Sequence, residues 1–190
     1  MKELTILLLC LIFIFIYINY LRKCLYLTKV ESTLNGKEYY VRKLPDNLAA
    51  ANMLAELGLR LKQLVDSLGD KDRKEEIDRL KENFNHEHIT ENIPGSMYVA
   101  YSVNKGEELS ICIREKDTEK FLDINTIMFV SIHELSHIMT EDTGHTPRFW
   151  ANMKYLLEES SKMGIYNPVD YSKNPAMYCG TKINSTPMNL

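Results

Sequence analysis

The chain has 190 residues, 45% hydrophobic and 26% charged, enough for one compact domain plus a short extra segment but not for two full domains. Its 26 acidic and 23 basic residues give a formal net charge of −3, which excludes the global basic field that drives nucleic-acid binding by phosphate neutralisation. Cys10, Cys24, Cys112 and Cys179 show neither CxxC pairs nor the density of a secreted disulfide scaffold, so free thiols in a reducing compartment are expected.

From Leu4 to Leu21 the chain runs 18 residues without a charge. As a helix this covers about 27 Å, enough to cross a bilayer. Tyr17, Tyr20 and Tyr26 sit toward its C-terminal end, where amphipathic rings favour the headgroup region, and Arg22 and Lys23 follow at once. No A-x-A-like cleavage site follows, so residues 1–26 are read as an uncleaved transmembrane anchor. Arg22, Lys23, Lys29, Lys37, Arg42 and Lys43 lie on its C-terminal side against Lys2 on the other, which directs residues 27–190 to the cytoplasm. The sequon Asn184-Ser185-Thr186 points the other way but is followed by Pro187 and carries little weight.

Next, Val30–Thr33 and Glu38–Arg42 flank Asn35-Gly36, the pair a two-residue type I′ turn favours, so a first β-hairpin is expected. Pro45 and Asp46 open a long helical pattern from Leu48 to Leu68 with apolar residues at three- and four-residue steps. Gly69-Asp70 ends it, and Asp72–Asn83 reads as a solvated amphipathic helix burying Ile77 and Leu80. His86 and His88 fall in a polar loop. Met97–Val103 and Leu109–Arg114 on either side of Asn104-Lys105-Gly106-Glu107 read as a second hairpin. Two helices close the pattern, and the order suits an α+β domain with a small antiparallel or mixed sheet packed on helices.

The first of those helices, INTIMFVSIHELSHIM, follows the candidate caps Asp123 and Asn125 and is apolar almost all round, hence buried. It contains His133-Glu134-Leu135-Ser136-His137, an HExxH pattern that puts two histidines one turn apart on one face, where both reach a single Zn²⁺. Glu134, beside the first ligand, is placed to take a proton from an activated water and pass it to a leaving amine. A third ligand is needed. His145, just past Gly144, is favoured because Thr146 and Pro147 then start a helix with Phe149, Trp150 and Met153 on its apolar face. Glu158 or Glu159 on that helix, or Asp142, are the alternatives. Tyr166, Tyr171, Tyr178 and Arg148 remain open as stabilisers of an oxyanion.

The segment HELSHIMTEDTGHTPRFWANM resembles the active-site segment of the SprT-like and WLM metallopeptidase families, which join an HExxH helix to a third histidine followed by an aromatic residue on the next helix. The matching positions are His133, Glu134, His137 and His145, with Phe149 and Trp150 as the aromatic pair. The His137-to-His145 spacing is longer than the usual WLM one and falls within the SprT-like range. The resemblance implies a zincin-like fold, one zinc ion and a soluble endopeptidase acting on proteins bound or crosslinked to DNA. The membrane helix and acidic balance instead favour an anchored zinc endopeptidase with a protein or peptide substrate. Leu109–Arg114 is its expected edge strand for backbone pairing with that substrate. The rival reading is a zinc-stabilised, non-catalytic binding domain displayed at a membrane.

Overall fold

The computed structural model describes residues 2–188. Helix α1 (Lys2–Tyr26) exposes its described apolar side chains and passes without a linker into strand β1 (Leu27–Glu31). This helix is long and apolar enough to be a membrane span or a signal sequence. β1 pairs antiparallel with β2 (Glu38–Arg42), from Leu27 opposite Arg42 to Glu31 opposite Glu38. The hairpin is where the sequence placed it, but its turn is not the two-residue type. Only Gly36 of the pair has positive φ, at 68°, and the chain closes through a longer loop in which Gly36 N–H donates to the Ser32 carbonyl.

Helix α2 (Asn47–Ser67) lies against β1 and β2 and buries Ala51, Leu54, Leu57, Leu61 and Leu64, while Leu48 at its start is exposed. Asp46 occupies the N-cap position, yet its carboxylate caps nothing. Both oxygens instead accept from the guanidinium of Arg114 at 2.8 Å. Arg114 also donates to Glu91 at 2.8 Å and stacks over Phe121. A second oxygen of Glu91 accepts the Arg42 N–H at 2.8 Å. A buried charge with this many partners is satisfied. The cluster locks the first hairpin, the start of α2 and the central sheet together.

After a single 3-10 turn, α3 (Lys74–Asn83) buries only Ile77 and Leu80, as its charge pattern requires. Strands β3 (Ile89–Glu91), β4 (Ala100–Val103) and β5 (Glu108–Ile111) form a mixed sheet in the order β3-β5-β4, with β3 parallel and β4 antiparallel to β5. This corrects the edge-strand assignment. Three-residue β3 gives too short an apolar run to read from sequence, and it covers the side of β5 that was expected to be free. Among the described residues the edges of this sheet are β3 and β4.

Helices α4 (Ile124–Met139) and α5 (Pro147–Lys162) pack against each other and supply Ile127, Ile132, Leu135, Phe149 and Leu156 to the core. The chain ends in a hairpin of β6 (Ala176–Tyr178) and β7 (Thr181–Ile183). Its two central residues, Cys179 and Gly180, have φ of 51° and 85°, as a two-residue type I′ turn requires. Cys179 is bonded to Cys112, just beyond β5, so the expectation of free thiols fails for this pair and holds for Cys10 and Cys24. The pairing escaped the sequence because the partners are 67 residues apart and only the fold brings them together.

Candidate metal centre

Helix α4 starts because Asp123 accepts the N–H of Thr126 at 3.1 Å, whereas Asn125 fastens the Asn167 backbone. The helix threads the core, with Ile132, Leu135 and Ile138 fully buried, so its one polar face is fixed in direction. His133 and His137 lie one turn apart on that face. At the helix end the Thr140 hydroxyl accepts from Asn152 of α5, and Lys105 donates to the Thr140 carbonyl. The chain then reverses through Gly144, whose φ of 81° would strain any side chain. Thr146 caps α5 by accepting the Phe149 N–H, and Pro147 takes the first helical position. His145 is thereby held between a turn and a cap.

The outcome is a convergence of His133, His137 and His145, with one potential ligand nitrogen from each lying within 4.8 Å of the others. The Nε2 atoms of His133 and His145 are 3.0 Å apart. Ligands about 2.0–2.1 Å from a tetrahedral zinc stand a little over 3 Å from each other. The donor set therefore fits a metal such as zinc. Among the described residues, the alternatives from the sequence do not join the cluster: Glu158 faces Lys154, Glu159 pairs with Lys162, and Asp142 meets Thr146.

Phe149, fully buried, packs against all three imidazoles, with ring centroids 4.4–4.9 Å away, and Trp150 lies over His145 at 5.5 Å. The aromatic pair is the floor on which the ligands are set. Burial, reinforced by neighbouring His137 and His145, holds His133 down at about 3. Burial, with His145 and Lys105, holds His137 at about 4. Both rings are therefore neutral at physiological pH, the form that binds a metal.

Glu134 is 7% exposed, and burial pushes its carboxyl up to about 7 although the Ser102 backbone N–H donates to it. Ser102 belongs to β4, and just before that strand the Val99 carbonyl accepts from Cys112. Antiparallel alternation then turns the backbone groups of Ala100 and Ser102 outward, toward the site. A cleft of about 420 Å³ opens there, lined by Met97–Ala100, by His133, Glu134 and Trp150, and by Tyr178 and Thr181–Ser185. The β6–β7 wall was missed by the sequence reading, although Cys-Gly between two short alternating runs was its signal.

The oxyanion candidates separate. Arg148 turns to Glu76 on α3, and Tyr166 and Tyr171 pack on Phe129. Tyr178 lines the cleft, but its hydroxyl donates to the Cys112 carbonyl at 2.7 Å.

The WLM domain family model matches residues 41–188, which contain this entire site. The chain belongs to the WLM domain family. The match bears out the resemblance that the motif carries. The WLM chain is 34% identical over 160 residues to protein R325 of Acanthamoeba polyphaga mimivirus, covering 82% of this chain and 81% of that one. It is also 31% identical over 70 residues to protein 136R of Invertebrate iridescent virus 6 and 36% identical over 69 residues to protein 042R of Invertebrate iridescent virus 3. Those matches cover 36% of this chain each and 39% and 43% of the viral proteins. Wss1 from Saccharomyces cerevisiae has a similar fold, with a TM-score of 0.50 over 65% of this chain and 87% of that one at 20% identity. A Wss1 mutant structure gives 0.51 over 66% and 92% at 19% identity.

Proposed function

We propose that this WLM protein is a membrane-anchored, zinc-dependent endopeptidase, with residues 1–26 as a single-pass anchor and 27–190 as the peptidase domain. His133, His137 and His145 are its metal ligands and Glu134 its general base. The observation that carries this reading is the three-histidine cluster beside a buried carboxylate, with His133 and Glu134 lining a cleft that the edge strand β4 borders. A zinc ion held there supplies Lewis acidity and makes water a stronger acid, near neutral pH. Glu134 takes the proton of the attacking water and delivers it to the departing amine. The outward backbone groups of Ala100 receive the substrate as an added strand, the Ser102 N–H being held by Glu134, so binding depends weakly on side chains. The chain's acidic balance gives no support to a nucleic-acid partner.

Retention of α1 is supported by contacts between its last turns and the folded domain, including Lys43 N–H to the Tyr26 carbonyl at 2.9 Å and Lys43 Nζ to the Cys24 carbonyl at 2.8 Å. The basic residues after it favour the cytoplasmic side, whereas the Cys112–Cys179 disulfide favours an oxidising one.

The test compares purified full-length protein with Glu134→Gln, measuring bound zinc and cleavage of an unfolded protein. Stoichiometric zinc in both is expected, with cleavage lower in the variant by about 10²–10⁴-fold. Zinc in both without cleavage by either would leave a metal-stabilised binding domain, and absence of metal from both would end the metallopeptidase reading.

A further inference from the structure

The base of α1 and the wall of the cleft are joined by one loop. Arg22, the first charge after the apolar run, donates through Nη2 to the carbonyls of Pro94 at 3.1 Å and Gly95 at 3.2 Å. Lys23 pairs with Glu108 of β5 at 2.9 Å. These contacts, with α1 running straight into β1, fix the domain against the end of the helix at several points. The same loop continues into Met97, Tyr98, Val99 and Ala100, which form one side of the cleft. Gly95 and Ala100 are five residues apart, so at full extension at most about 18 Å separates the helix-bound end of this loop from the cleft wall. Met97 is 86% exposed and Tyr98 63% exposed. Two large side chains exposed side by side, next to an anchor's basic flank, have the character of residues that enter a headgroup layer.

We propose that the cleft draws its substrates from the membrane surface: extended juxtamembrane segments of other membrane-inserted proteins, entering past Met97 and Tyr98 and cut close to the bilayer. This rests on the endopeptidase reading above and adds a geometric limit to it. An extended chain advances about 3.3 Å per residue, so about five or six residues span the distance from the helix-bound end of the loop to the cleft wall, and a segment leaving the bilayer near Arg22 lies across the site within roughly ten. Peptide bonds farther along a tail are reached only when that tail folds back. A freely tumbling domain on a flexible stalk would have no such limit.

The experiment places the zinc-loaded full-length protein in phosphatidylcholine vesicles with a single-pass model substrate bearing an unstructured tail of about 40 residues. The same tail is supplied separately as a soluble peptide, and cut sites are mapped by mass spectrometry. Cuts in the anchored tail should fall within about ten residues of the bilayer, whereas cuts in the free peptide should spread along its length. In the Arg22→Ala, Lys23→Ala double variant the anchored cuts should move outward, with the free peptide cleaved as before. Anchored cuts spread evenly along the tail in the unaltered protein would overturn the proposal while leaving the peptidase reading intact. No cleavage of either substrate would remove both.

A second measurement does not depend on activity. A Met97→Cys variant, made with Cys10→Ser and Cys24→Ser and labelled with an environment-sensitive fluorophore, should be quenched by headgroup-spin-labelled lipid. An unquenched label would overturn the placement of the cleft at the membrane.

Discussion

Reduction of the Cys112–Cys179 bond tests how the far wall of the cleft is held. The bond closes a loop between positions 67 apart and ties the β6–β7 hairpin to the end of β5. In the chain-entropy description, a loop of that length removes about 15 cal/mol/K from the unfolded ensemble, or about 4 kcal/mol at 25 °C. The measured loss should be smaller, about 2–4 kcal/mol, because reduced chains and unfolded ensembles retain some structure. Buried Tyr178, with its hydroxyl bond to the Cys112 carbonyl, keeps a local hold on the hairpin after reduction. With a urea slope of about 2 kcal/mol/M, the midpoint should fall by about 1–2 M. The assay is a urea titration of the full chain in mild non-ionic detergent, with and without a phosphine reductant, followed by circular dichroism. A Cys112→Ser, Cys179→Ser protein should match the reduced curve. Superimposable curves from protein verified by mass as oxidised and reduced would refute the argument that this cross-link stabilises the domain.

Other perturbations separate the remaining claims. His145→Ala should reduce bound zinc well below one per chain, whereas Glu158→Ala and Glu159→Ala should leave it unchanged, as read by metal analysis after dialysis. Gly58→Ala should destabilise by about 1–3 kcal/mol in denaturant titration although alanine favours helices, because the added carbon would lie 2.7 Å from the His86 carbonyl oxygen. Arg114→Ala should cost about 3–5 kcal/mol by the same measure, since it strands the buried carboxylate of Glu91, already pushed up by burial with its guanidinium partner present. A C-terminal tag should be protease-accessible on the cytoplasmic side. A protected tag would reverse the topology and put Cys112 and Cys179 where disulfides persist.

The parts of this protein legible in its sequence are those with local causes. The HExxH spacing fixes the relation of His133 to His137 through helix geometry alone, and Thr146-Pro147 marks the start of α5, which sets His145. The periodic apolar steps of α2 and the charge pattern of α3 likewise need only near neighbours. What was misread depends on distant partners. The role of β5 changed because β3 comes in parallel from 20 residues away, measured between the paired residues Ile89 and Leu109. Asn35-Gly36 carries the pair that a type I′ turn prefers, yet that turn forms at Cys179-Gly180, where the disulfide and buried Tyr178 dictate the hairpin. Asp46, which opens the pattern of α2, and Arg148, a candidate stabiliser of an oxyanion, are claimed by Arg114 and Glu76 across the fold.

The outward edge of β4 has a consequence for target choice. A strand that grips backbone has little means of telling one side-chain sequence from another, so selection passes to the target. A segment must leave its own hydrogen-bonded structure before it can pair with Ala100, and the free energy of that local opening enters the rate directly. Each additional 1.4 kcal/mol of local stability in a target then protects it about tenfold. If the chain is the endopeptidase proposed above, the chains within reach that are already frayed, misassembled or missing a partner would be the ones consumed.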